Sequence, residues 1–302
     1  MAHLRTLFIA VLTVCALQSA GCEKPQASAV STEPVRVFAT VHTVADLARQ
    51  VGGKYVEVDF AIEGGRSLLG FQPGAAVMQQ KNRAQIVIAG GSEPWAVADA
   101  SNPLEPARVI RLDALRGAPA SQPTPGQNED AQIGLEWLDP VIGQRAAEEL
   151  ARRLKSLRPN HQVYFDARAK QVTEQLEALV KEYQPKFRDA KRRRVMSLTH
   201  EFDYLAERFG VDIVHVVGTT VDRIGDQQVA TLQRASRDEH LVTLIVRADT
   251  SPGLIQDLAK RTGFRIITMD PYGSSSANGR DSYLSLLRYN LDRLLDALNS
   301  GN

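Results

Sequence analysis

Apolar residues along the chain fall into two alternating patterns. Short runs rich in Val, Ile and Leu occur at 35–41, 56–62, 85–89 and 109–112, and again at 194–199, 211–217, 242–246 and 265–269. Between them lie stretches with helical spacing, including 43–51, 205–208, 251–262 and 283–297. Continuous apolar runs of this length predict buried strands. Strands that each lead into a helix pair in parallel, with helices covering both faces of the sheet. The expected fold is α/β, with two similar lobes of four-stranded, mainly parallel sheets.

One segment between the two sets is more regular than the rest. Val172, Leu176, Leu179, Val180, Tyr183 and Phe187 share one helical face. The pattern begins near Asn160 and is expected to break at Pro185. About 25 residues at roughly 1.5 Å each give a rod nearly 40 Å long. A rod of that length can cross the back of both lobes, and a stiff connector restricts hinge bending. The expected organisation is a signal at 1–21, a tether at 22–34, an N-terminal lobe at 35–157, the connecting helix at 158–188 and a C-terminal lobe at 189–302. Residues 115–131 are rich in Pro, Gly and small polar residues and read as a loop.

The N-terminus changes the picture from fold to compartment. Arg5 is followed by an apolar stretch at 6–17 and by Ser19-Ala20-Gly21-Cys22. This is the pattern of an export signal, with Cys22 as the first, lipid-bearing residue of a mature lipoprotein. Simple cleavage near Ala20 or Ala27 is the alternative. The chain has two cysteines, Cys15 and Cys22. Cys15 would leave with the signal, so the mature chain could form no internal disulfide. Residues 23–34 are small and polar, which suits a flexible tether. The expected location is periplasmic or cell-surface, anchored to the membrane through Cys22.

Charge narrows the function. The 36 basic and 35 acidic residues nearly cancel, for a net charge of +1. A nucleic-acid binder would show a basic excess. The basic run at 191–194 follows a helix end, where positive charge is favoured. No Gly-x-Ser-x-Gly elbow, phosphate loop or His-Glu-x-x-His motif is present. His200-Glu201 lacks a histidine four positions on. An enzyme is not expected.

A binding site can be placed by topology. In parallel sheets, ligands sit beyond the carboxyl ends of the strands. The residues there are His42, Arg66, Ser67, the segment 91–95, Thr199, His200 and Asp270. They come from both halves of the chain, and facing lobes would bring them to one cleft. Each has a plain alternative role. His42 could cap a helix, His200 could sit in a loop, and Asp270-Pro271 could make an ordinary turn. Arg247 could pair with Asp249 or Asp226. His161, His215 and His240 look structural.

Several blocks carry a family resemblance over nearly all of the mature chain. They are the strand–helix–strand segment 37–58, Glu63-Gly-Gly-Arg-Ser-Leu-Leu-Gly-Phe-Gln-Pro73, Gly91-Ser-Glu-Pro-Trp95, Glu136-Trp-Leu-Asp-Pro140 and 159–176 with Tyr164. Leu198-Thr-His-Glu-Phe-Asp-Tyr-Leu-Ala-Glu-Arg-Phe-Gly210 and Met269-Asp-Pro-Tyr-Gly273 complete the set. Together these resemble the periplasmic solute-binding lipoproteins of zinc and manganese ABC importers. The resemblance implies a monomer that carries zinc or manganese, as transported ligand, to a permease driven by a separate ATPase.

Sites in that family combine three histidines and a carboxylate, two ligands from each lobe. Carried over by position, the histidines fall on Leu69, Leu135 and Thr199, with His200 next to the last. The carboxylate falls on Asp270. A frequent acidic position becomes Arg247, and an aspartate before the first histidine becomes Ser67, beside Arg66. Leucine cannot coordinate a metal, and arginine stays charged and repels a cation. Three readings follow. The chain rebuilds a metal site from His42, His200 and Asp270, with Glu63 as a further donor. It holds another small solute, anionic or partly apolar, with Arg66, Arg247, His42, Leu69 and Leu135. Or it is a scaffold lipoprotein that binds nothing.

Overall fold

The computed structural model describes residues 33–64, 68, 71–91, 93–97, 108–117, 135–216 and 224–300. Cys22, Arg66, Leu69 and most of the 115–131 loop lie outside the described residues.

Eight strands form two parallel sheets. The first contains β1 (Val35–Val41), β2 (Val56–Ile62), β3 (Ile86–Ala89) and β4 (Val109–Arg111), in the order β2-β1-β3-β4. The second contains β5 (Arg194–Ser197), β6 (Asp212–His215), β7 (Thr243–Arg247) and β8 (Arg265–Met269), in the order β6-β5-β7-β8. The two orders are the same, so the lobes repeat one topology. Central β1, β3 and β7 are almost wholly buried, and edge β2 and β6 are partly open. That difference follows from the apolar content of each run: β3 is Ile-Val-Ile-Ala and β6 is Asp-Ile-Val-His.

The helices of the first lobe are α1 (His42–Gly52), α2 (Ala75–Arg83), α3 (Pro94–Val97), α4 (Leu112–Arg116) and α5 (Pro140–Leu157). The long α6 (Gln162–Arg188) follows. The second lobe carries α7 (Asp203–Arg208), α8 (Asp226–Glu239), α9 (Pro252–Thr262) and α10 (Tyr283–Asn299). Helix α5 is absent from the sequence reading, although its start signal was present. Asp139 caps it through Val141 N at 2.9 Å, and Pro140 occupies its first turn.

Helix α6 has 27 residues, about 40 Å of length. It packs on α1 and α5 of the first lobe and on α10 of the second. Its buried face is Phe165, Ala169, Val172, Leu176, Leu179, Tyr183 and Phe187. One apolar cluster therefore runs from Val35 in the first lobe through α6 to Leu298 in the second. The helix does not break at Pro185 but runs on to Arg188. Pro185 is exposed in the last two turns, while Tyr183 and Phe187 on either side are buried. Their burial outweighs the single backbone hydrogen bond that proline removes. Among the described residues, no helix is long and apolar enough to cross a membrane.

Candidate functional site

The lobes meet at the carboxyl ends of their strands, around the segment 269–273 that follows β8. Tyr272 is the centre of this contact. Its hydroxyl accepts from Leu68 N at 3.0 Å and donates to Glu201 Oε1 at 2.7 Å. Its carbonyl accepts from Thr43 Oγ1 at the start of α1. Trp137 Nε1 donates to Pro271 O at 2.9 Å, and Leu135 N donates to Glu201 O at 3.2 Å. The bonds from Thr43, Leu68, Leu135 and Trp137 join the two lobes, and the Tyr272–Glu201 bond ties the C-terminal side together behind them.

Glu201 and Arg247 occupy the C-terminal side. Arg247 Nη1 lies 3.3 Å from Glu201 Oε1. Its other nitrogens donate to Asp249 at 2.8 and 2.6 Å, so the sequence-level pairing with Asp249 is the one formed. Asp226 pairs instead with Arg261. Thr199 Oγ1 donates to Glu201 Oε2 at 3.0 Å. Burial pushes the Glu201 carboxyl above its ordinary range, and Arg247, Tyr272 and Thr199 oppose that shift. The Arg247 guanidinium also lies over the Tyr272 ring, 5.4 Å from its centroid.

Asp270 is engaged by the protein. Its Oδ1 accepts from Tyr272 N and Gly273 N, both at 3.0 Å, and its Oδ2 accepts from Arg280 Nη1 at 3.0 Å. Asn290 holds the Asp270 backbone on both sides. Leu135 is fully buried in the apolar cluster that also holds Tyr272. His42 opens α1 and packs edge-on against Phe60, with ring centroids 5.3 Å apart. Burial lowers its pKa, and its Nδ1 is buried with no hydrogen-bond partner. Beside Tyr272 opens a cleft of about 330 Å³ lined by Arg247, Asp249, Asp270, Ser274, Ser276 and Arg280. Both of these arginines already face carboxylates.

His200 points to different company. Its Nδ1 lies 3.0 Å from Asp203 Oδ2, and His215 Nε2 lies 2.9 Å from Asp203 Oδ1. The two imidazoles stack, with centroids 3.6 Å apart and planes tilted by 31°. Among the described residues, His200, Asp203 and His215 are the one group of three His, Cys, Asp or Glu side chains whose ligand atoms all lie within 4.8 Å of one another. His42 and Asp270 are not in it. Burial raises the Asp203 pKa, but the two histidines outweigh it and hold the carboxyl below its ordinary range.

Asp203, His215, Glu201 and Tyr272 were not singled out as site residues from sequence. The signals were weak but present. His200 and Asp203 stand three apart at the start of α7, and His215 ends β6, the strand beside β5. The register pairs Ser197 with His215, which places His215 next to the loop that begins after β5.

The family model for the periplasmic zinc-uptake complex component A matches residues 37–297. A manganese ABC transporter substrate-binding lipoprotein of Streptococcus anginosus is 23% identical over 99% of both chains. A metal ABC transporter substrate-binding lipoprotein of Streptococcus sanguinis is 22% identical over the same share of each. Among solved structures, the zinc-bound ZnuA-like domain of AdcA from Streptococcus pneumoniae superposes with a TM-score of 0.72 at 20% identity, covering 88% of this chain and all of that one. The metal-dependent lipoprotein YcdH from Bacillus subtilis gives the same TM-score and coverage at 19% identity.

Proposed function

The chain belongs to the periplasmic zinc-uptake component A family of metal-importer binding proteins, and from that premise we propose that its interlobe position is closed by the protein itself and holds no divalent ion. It is a binding protein and not an enzyme, like its relatives. It works outside the cytoplasm with a permease and its ATPase, as a monomer held to the membrane through Cys22.

The buried Arg247–Glu201–Tyr272 bridge carries this reading. A dication beside Asp270 would have to displace the Arg280 guanidinium that now pairs with that carboxylate. It would also have to take Asp270 from two backbone N–H donors. Taking Asp270 away leaves the Tyr272 and Gly273 N–H groups short of an acceptor, at about 1–3 kcal/mol for each that stays buried. Leucine at position 135 offers nothing in return. The anionic-solute reading gains no support from Arg247, because its charge is already matched by Glu201 and Asp249.

The test is manganese binding followed by the electron-spin signal of the free ion. Manganese prefers oxygen-rich sites, so it reports on Asp270 rather than on imidazole pairs. The expected result is no manganese bound at low micromolar ion. One tightly bound manganese, lost in Asp270→Asn, would overturn the reading.

A further inference from the structure

We propose that His200, Asp203 and His215 form a zinc site on the C-terminal lobe, outside the interlobe position. The inference goes beyond the reading above and stands on a different set of side chains.

Three observations support it. The donor set is two imidazoles and one carboxylate, the composition of open zinc sites with three protein ligands and one position left for water or a ligand. The spacing is right. Zinc bonds of about 2.0–2.2 Å hold neighbouring donors of a tetrahedron roughly 3.3–3.5 Å apart; here each carboxylate oxygen lies 3.0 or 2.9 Å from a different imidazole, and one ligand atom from each residue lies within 4.8 Å of the other two. The cluster is also incomplete as it stands. Asp203 Oδ1 is buried and has no hydrogen-bond partner, although His215 Nε2 lies 2.9 Å away. The contact is off the direction of a hydrogen bond. A cation there would satisfy the buried Asp203 Oδ1.

Position and charge agree. The side chains of His200, Asp203 and His215 are 26%, 32% and 21% exposed, so an ion can reach them from solvent. With neutral imidazoles the cluster carries one negative charge. Asp203 sits at the start of α7 and His215 at the end of β6, both on backbone fixed by regular structure. Nitrogen-rich donors favour zinc over manganese in the usual order of metal affinities.

The test is a zinc titration of the mature protein against a chromophoric chelator, with wild type and the variants His215→Gln, Asp203→Asn and Asp270→Asn. Thermal melts with and without zinc establish that each variant is folded. The proposal expects one zinc per chain, at least tenfold weaker binding in His215→Gln and Asp203→Asn, and unchanged binding in Asp270→Asn. Cobalt substitution should give the visible bands of a four-coordinate ion, lost in His215→Gln. If Asp203→Asn does not fold, His215→Gln alone decides. Absence of zinc binding, or zinc held unchanged in folded His215→Gln, overturns the proposal. Zinc lost in Asp270→Asn but kept in His215→Gln would overturn both this proposal and the closed interlobe position. Manganese binding at Asp270 would overturn the closed position alone.

Discussion

Glu136 shows how much a single side chain here depends on its neighbours. It lies in the turn after Leu135, 6% exposed, and burial pushes its pKa up to about 8, helped by the nearby Glu93 and Asp113 carboxylates. Its Oε2 is buried with no hydrogen-bond partner. The folded chain therefore keeps the Glu136 proton to about pH 8, while the unfolded chain loses it near the ordinary value of 4.5. Between those values the folded state binds more protons, so stability falls as pH rises and levels off above about 8. Glu136→Gln should flatten that slope and raise the urea midpoint at pH 8 relative to wild type. An unchanged slope would show that Glu136 is not the group responsible. At this scale the sequence was partly legible. Asp270 and Arg247 could be placed at strand ends from pattern alone, but their partners could not. Glu201, Arg280 and Asp203 reach their positions through loops and strand register, which no spacing rule encodes.

Helix α6 is the element that ties the lobes into one apolar cluster, and its face was readable from the 3.6-residue period. Its end was not. The proline rule gives the local cost, but only packing shows that Tyr183 and Phe187 override it. Pro185→Ala should restore a backbone donor at an exposed position and stabilise the protein. The gain is about 2–3 kcal/mol: roughly 3 for a proline inside a helix, less up to about 1 for the freer unfolded chain. A lowered melting temperature would contradict this account of the helix end. The eight strands were legible because each is a compact apolar run. Helices α5 and α8 were not: the buried face of α5 is built largely from alanine and glycine, and α8 buries only Val229 and Leu232.

Across the whole molecule, the two lobes are joined by a polar network buried between apolar walls. Tyr272 links Leu68 of one lobe to Glu201 of the other. Tyr272→Phe would leave a backbone donor and a carboxylate oxygen short of a partner, each worth about 1–3 kcal/mol when buried. The expected loss is about 2–6 kcal/mol in chemical denaturation. A change under about 0.5 kcal/mol would mean that the lobes are not held together there. The family's architecture was visible in the sequence because it rests on strand and helix order. The fate of its ion position was not, because it depends on which side chains meet across the gap.

The most direct measurement is anomalous diffraction at the zinc edge from crystals grown with one equivalent of zinc. The account predicts a single peak among His200, Asp203 and His215, and none between Leu135 and Asp270. A peak beside Asp270, with Arg247 and Arg280 turned away from their carboxylates, would contradict it.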